Sequence, residues 1–277
     1  MGKNVNRADI ERGVDNMAEK NKKRKGKAKR KDKVADNNCT RKDVKSDKFQ
    51  EDNVKQVVNI QPKTDNQKLA MKLLREKALV ILSGNAGAGK TIISCWWAAK
   101  QMLEGNVDRI IITRPNEING RDGGATPGTD LEKLQQVLAP MMENLSDFLG
   151  RKRFEVLIGD DPLYSAITVA PLEKIAGRSF RDRTIVIADE LQMSKISQMR
   201  SLTTRMEEGS QLILLGDPKQ AIRDGENGLS YIVKTAGENP LELEDYVGVV
   251  NFTKDDCVRG GLAGAMVRIF DDQGPRW

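Results

Sequence analysis

Histidine is absent from this chain. That removes imidazole general bases, Ser-His-Asp triads and histidine-ligated zinc in one step. Any catalysis must draw on carboxylates, Lys, Arg, Gln and a bound metal. Cysteine is scarce: Cys39, Cys95 and Cys257 are odd in number and far apart. A disulfide framework is therefore not expected, and a reducing cytoplasm is the simplest setting. No run of 18 apolar residues occurs, so no membrane-spanning helix is predicted. The stretch from Met1 to Asn6 lacks the apolar region of a secretory signal. Aromatics are only 4% of the 277 residues and hydrophobics 38%. That suffices for one large domain with a tail, or two small domains, but not for a core along the whole length.

Charge is unevenly spread. Residues 1–60 carry 18 lysines and arginines against 10 acids, a net of +8, whereas the whole chain is at +6 and the remainder therefore at −2. Sparse large apolar residues, mixed charges and no persistent period predict a disordered basic tail over 1–60. Its densest part, Lys20 to Lys33, admits two readings. One is a nucleic-acid tether acting on phosphate charge; the other is a solubilising segment with no partner.

Residues 61–277 are patterned as a globular domain. Apolar runs predict strands at 78–83, 109–113, 167–170, 184–189, 211–215 and 246–252. Helical patterns fall at about 65–76, 89–104, 130–148, 194–208 and 227–236. Strands alternating with helices imply an α/β fold with a parallel sheet covered on both faces. Right-handed crossovers then put every strand C-terminus on one edge, where such sheets bind ligands.

Gly84, Asn85, Ala86, Gly87, Ala88, Gly89, Lys90 and Thr91 fit the pattern G-x-x-x-x-G-K-[ST]. A buried strand enters the motif. A helix leaves it, with Ile92, Ile93, Cys95, Trp96, Ala99, Met102 and Leu103 mostly on one face. Strand, glycine-rich loop and helix together make a phosphate cradle, because glycines let backbone N–H groups turn inward beside a helix N-terminus. Lys90 is expected to reach the β- and γ-phosphates, and Thr91 to hold Mg²⁺ through its hydroxyl. The competing reading, a ligand-free turn, is opposed by the motif and by both flanks.

Two further motifs end apolar strands. Asp189 and Glu190 close the run Ile185 to Ala188. Asp189 is expected to hold Mg²⁺ through water, and Glu190 to orient or deprotonate the attacking water. An acidic helix start after an ordinary strand is the alternative. Gly216 to Gln220 follows the next strand, and Gln220 is placed to touch the γ-phosphate or the water; a common Gly-Asp-Pro turn is the alternative. Thr64-Asp65-Asn66-Gln67 precedes the first helix. Gln67 is a candidate for the adenine edge, although Thr-x-x-Gln is also a capping box. Arg259 is a candidate for stabilising transferring phosphoryl charge, with Arg178 and Arg205 as competitors.

Together these residues resemble the PhoH family of P-loop ATPases, a branch close to the core of superfamily 1 helicases. The resemblance runs from about Gln61 to Arg259 in ordered blocks: Pro62 to Gln67, Thr113-Arg114-Pro115, Asp130 to Leu134, Ala170 to Ile175, Gly177-Arg178-Ser179, Asp189 to Gln192, Thr203 to Arg205 and Gly216 to Gln220. Ala176 departs from the arginine the family commonly carries there. The glycine-rich segment after Arg114 lacks the family's apolar pattern. A basic tail stands where a nuclease-like domain precedes some members, and the length resembles bacteriophage-encoded members. The resemblance implies a RecA-like P-loop NTPase fold, Mg²⁺-dependent ATP binding and hydrolysis, an RNA substrate and ring assembly, in a host cytoplasm.

The leading expectation is an ATPase coupled to RNA or single-stranded DNA. Helicases of this kind close the nucleotide between two ATPase-type domains. With room here for one, an arginine from a neighbouring subunit of a homo-oligomer is expected. Two alternatives stay open: a small-molecule kinase using the 114–130 segment as a lid, and a slowly hydrolysing RNA-binding switch.

Overall fold

Segments that are apolar at odd and even positions alike must be buried on both faces. Six of them form one sheet in the computed structural model, which describes residues 59–115, 129–160, 165–175, 179–180, 183–221 and 227–273. The strands are β1 (Leu79–Gly84), β2 (Arg109–Arg114), β3 (Ile167–Pro171), β4 (Thr184–Ala188), β5 (Gln211–Gly216) and β6 (Val247–Phe252). They lie in the order β3-β2-β4-β5-β1-β6, and every pairing is parallel. Residues 1–58 of the expected tail lie outside the described residues, as does most of the glycine-rich segment after Arg114, whereas Ile60 already packs against the core.

Alternation along the strands divides the interior into two cores. Val80, Leu82, Ile110, Ile112, Ile185, Ile187, Ile213 and Leu215 face one side. There they meet helices α1 (Asp65–Glu76), α2 (Lys90–Leu103), α3 (Asp130–Val137) and α4 (Ala139–Leu149). Ile81, Ile111, Val186, Leu212 and Leu214 face the other side. They pack on α6 (Leu172–Ile175), α7 (Ile196–Thr203) and α8 (Gly228–Glu238). The remaining helices are α5 (Arg151–Leu157), α9 (Pro240–Leu243) and α10 (Gly261–Gln273). Cys95 is fully buried in the first core against the Met141 carbonyl, and burial pushes its thiol well above the usual range.

The strands and the three-layer arrangement agree with the sequence pattern. Two helical expectations change. The stretch 130–148 is two helices, because Pro140 has no N–H to continue the first and sits in the opening turn of the second. The helix expected over 194–208 is shorter, Ile196–Thr203, and is preceded by a 3₁₀ turn at Leu191–Met193.

Parallel strands leave their C-terminal ends on one edge. β4, β5, β1 and β6 are consecutive neighbours, so the loops leaving them meet. The closest backbone approach among them is at Gly84, where φ is +114°. A β-carbon there would lie 2.0 Å from the Phe252 carbonyl oxygen. Gly105 also has positive φ, +73°, but nothing lies within 4 Å of its missing side chain. Gly105→Ala should therefore cost about 1 kcal/mol, for conformation alone. Gly84→Ala should cost about 2–4 kcal/mol, because β6 must also move. Urea unfolding of the two variants measures that difference.

Candidate functional site

Helix α2 begins without a side-chain cap. Its N-cap is Gly89 (φ 87°), and its first turn holds no acid. By contrast, α1, α3 and α8 are capped by Thr64, Thr129 and Asn227. The opening N–H groups of α2, with the loop Gly84, Asn85, Ala86, Gly87, Ala88 and Gly89 beside them, therefore keep their positive end free for an anion. Lys90 Nζ donates to the carbonyls of Gly84 and Asn85, the latter at 2.8 Å. Burial pushes its ammonium below the usual range, and Arg259 adds to that. The carboxylates of Asp217, Asp189 and Glu190 oppose the shift. A lysine so placed, its Nζ bonded to two neutral carbonyls, is suited to a phosphate oxygen. Thr91 stands beside it, half-buried in the first turn.

The carboxylates come from the next two neighbouring strands. Asp189 leaves β4 with its N–H donated to the Thr113 carbonyl at 2.9 Å. Its Oδ1 accepts from the Glu190 N–H at 3.0 Å. Burial first, and the nearby Glu190 charge second, push the Asp189 carboxyl above the usual range; the Glu190 amide, Arg114 and Lys90 hold it back. Glu190 itself has φ 54°, in the left-handed region. That conformation is uncommon outside glycine and costs on the order of 1 kcal/mol, and strain of this kind collects at functional sites.

Gln192 joins these groups into a network. Its Nε2 donates to Glu190 Oε2, and its Oε1 accepts from the Asp217 N–H at 3.1 Å. Asp217 Oδ2 in turn accepts from Gln220 Nε2 at 2.8 Å, and Oδ1 from the Lys219 N–H at 3.1 Å. Glu190 and Gln220 are thus connected through two buried residues, Gln192 and Asp217, to which the sequence reading assigned no role. The signal for them was weak: each lies inside a quoted motif, yet only the fold shows which polar groups face each other.

Gln67 is 5% exposed. Thr64 Oγ1 accepts its backbone N–H at 3.3 Å, which is one half of the expected capping box. The other half is displaced by one residue, since Gln67 Oε1 accepts from the Lys63 N–H at 2.7 Å. Its Nε2 donates to the Ala88 carbonyl at 2.9 Å, so Gln67 braces the phosphate loop. Arg259 lies on the same loop of its own chain: its Cδ and Nε are 3.0 and 3.2 Å from where a Gly87 β-carbon would be. The Val258 N–H donates to the Gly87 carbonyl at 3.1 Å. Of the competing arginines, Arg178 lies outside the described residues. Arg205 sits beside Phe180, ahead of β4 and β5 where those strands begin, and donates to Ser201 Oγ at 3.2 Å.

No group of three His, Cys, Asp or Glu residues suited to a metal occurs among the described residues. Asp189 and Thr91 instead suit magnesium that arrives with a triphosphate. That ion keeps several waters and takes one or two protein oxygens. Asp189, buried beside a second acid, stands to gain from such a cation. Asp189→Asn should relieve that repulsion, stabilising the nucleotide-free protein by about 1 kcal/mol, or a thermal midpoint roughly 2–4 °C higher. It should also abolish the Mg²⁺-dependent part of nucleotide affinity. Thermal melts, and nucleotide titrations with and without Mg²⁺, check both outcomes.

Comparison with known proteins agrees with this geometry. Residues 59–271 match the family model described as PhoH-like protein. Protein PhoH of Escherichia coli (strain K12) is 34% identical over 192 residues, covering 69% of this chain and 52% of that protein. Protein PhoH2 of Bacillus subtilis is 33% identical over 211 residues, covering 74% and 46% respectively. The chain thus spans about half the length of these relatives. Among solved structures, the UvsW helicase from bacteriophage T4 aligns with a TM-score of 0.44 at 16% identity, over 70% of this chain and 61% of that one. With the phosphate loop, the parallel sheet and the acidic strand end in place, the chain belongs to the PhoH-like protein family.

Proposed function

We propose that residues 61–277 form a domain that hydrolyses the β–γ bond of ATP and couples turnover to RNA or single-stranded DNA, with residues 1–60 as a basic tail. The observation that carries the reading is the meeting of Lys90, Asp189, Glu190, Asp217, Gln220 and Arg259 at one sheet edge. Lys90 exchanges its two carbonyl partners for phosphate oxygens. The N–H groups of the loop and of the start of α2 hold the phosphate chain, and the reading keeps Gln67 as the candidate for the adenine edge while its amide bridges the Lys63 N–H and the Ala88 carbonyl. Glu190 takes a proton from water as the water oxygen bonds to the γ-phosphorus, and the bond to the bridging oxygen breaks. Gln192 and Asp217 hold Glu190 and Gln220 in register. Arg259 faces the charge that spreads over the transferring group. Magnesium, when bound, neutralises phosphate charge, and Thr91 and Asp189 are the residues to hold it.

The nucleic-acid partner is supported by the net +8 charge of residues 1–60. A homo-oligomeric ring is supported by the apolar side chains that α10 exposes: Leu262 is 79% and Ile269 46% accessible. No helix among the described residues is long and apolar enough to cross a membrane, and the reading places the protein in a cytoplasm, that of the host for a phage-encoded chain.

Glu190→Gln should reduce turnover by about 10³-fold while ATP still binds. Wild-type hydrolysis by that variant would overturn the assignment. RNA should stimulate the wild-type ATPase, whereas stimulation by a small-molecule acceptor alone would point to a kinase. Deleting residues 1–45 should weaken RNA binding and flatten its dependence on salt. An unchanged slope in a salt titration would leave the tail without that role.

A further inference from the structure

Asp256 is buried, 5% exposed, in a short turn that follows β6 and is far in sequence from every recognised motif but the arginine. Its Oδ2 accepts from the Thr253 N–H at 2.9 Å, from Thr253 Oγ1 at 3.3 Å and from Asn66 Nδ2 at 2.8 Å. The Thr64 hydroxyl is a further donor to this carboxylate. Burial alone raises the Asp256 carboxyl, but these donors outweigh it and hold the group below the usual range. A carboxylate so fully supplied with donors stays ionised and rigidly placed.

What it holds is informative. Thr253 closes the turn Lys254–Asp256 itself. Thr64 and Asn66 belong to the segment that carries Gln67, and Gln67 braces the Ala88 carbonyl. Asn66 Nδ2 also reaches the Asn251 carbonyl on β6 at 3.3 Å. Two residues beyond Asp256, the Val258 N–H bonds the Gly87 carbonyl, and the Arg259 side chain crosses Gly87. Behind it, Gly264 of α10 lets the helix close on the Arg259 carbonyl, 2.1 Å from where a β-carbon would stand. Arg259 is exposed, and among the described residues no hydrogen bond of its own side chain accounts for its placement. The backbone on either side of it does.

We propose that Asp256 is the positioning residue that seats Arg259 on the phosphate loop, and that through Thr64 and Asn66 it links this arginine to the base-side segment. A nucleotide base that orders the segment around Gln67 thereby also orders the arginine that meets the γ-phosphate. The proposal rests on the ATPase reading of Arg259 given above.

Two measurements test it in the full chain. The first is amide exchange at Val258 without nucleotide, which needs no turnover. In Asp256→Ala this amide should lose its protection, with the milder Asn66→Ala losing less. Unchanged protection in Asp256→Ala would overturn the latch, whether or not the protein hydrolyses ATP. The second is a kinetic cycle with Arg259→Ala. Asp256→Ala should lower kcat by about 10- to 100-fold with the KM for ATP changed less than about threefold, short of the 10³ or more that an arginine can contribute. In the Arg259→Ala background the same substitution should lower kcat less than about twofold, since a residue acting through another adds nothing once that other is gone. Full loss in both backgrounds would show that Asp256 acts through stability alone and would overturn the proposal. Absence of ATPase activity in the wild type would instead remove the functional reading and leave the exchange result to decide the latch.

Discussion

The main chain of β1 runs so close to β6 at Gly84 that no side chain fits between them, and both halves of the site depend on that contact. β1 delivers the phosphate loop and β6 delivers the turn carrying Asp256 and Arg259. The Asn85 N–H donates to the Phe252 carbonyl at 3.3 Å, joining the two where the strands end. Beyond that point the loop is held through its carbonyls. Those of Gly84 and Asn85 accept from Lys90, that of Gly87 from Val258 and that of Ala88 from Gln67. Backbone groups must find partners when water is excluded. With these four carbonyls engaged by the protein, the loop N–H groups beyond that of Asn85 are the ones left to offer a ligand.

Charge at this edge is costly to keep buried. Asp189, Glu190 and Asp217 face Lys90, and Arg259 adds a second positive charge near it. Burial works against the charged forms of Asp189 and Lys90 alike. Isolated charges in such surroundings cost more than their pairing returns unless further hydrogen bonds satisfy them. Here some of those bonds come from Gln192, which links Glu190 to Asp217, from Gln220 on Asp217, and from the Glu190 N–H on Asp189. A ligand bringing both phosphate oxygens and a divalent cation answers the two kinds of unmet charge at once.

The legible part of this chain was the part dictated by local pattern. Apolar runs marked all six strands; five are buried along most of their length and show no polar alternation, and only the edge strand β6 alternates. The loop from Gly84 to Thr91 and the Asp189-Glu190 pair were visible because each follows such a run. The helix over 130–148 was read as continuous because its apolar period carries across Leu138, and Pro140 breaks the backbone without breaking the pattern. The role of Gln67 showed only in part, since a residue that caps a helix and one that braces a loop look alike in sequence. Gln192, Asp217, Asn66 and Asp256 were not legible as site residues. Their informative partners lie 25 and 190 positions away: β5 beside β4 brings Gln192 to Asp217, and β6 beside β1 brings Asp256 to Asn66.

The seating of Arg259 on the loop of its own chain bears on how subunits would cooperate in an assembly. An arginine lent by a neighbour makes each active centre the joint property of two copies, so a single defective copy silences the centre next door. Arg259, by contrast, is carried by the same polypeptide as Lys90 and Glu190, so this arginine needs no neighbour to reach the loop, whatever a second subunit adds. In any assembly of such copies, the part of the rate that depends on Arg259 would fall in simple proportion to the fraction of copies lacking it.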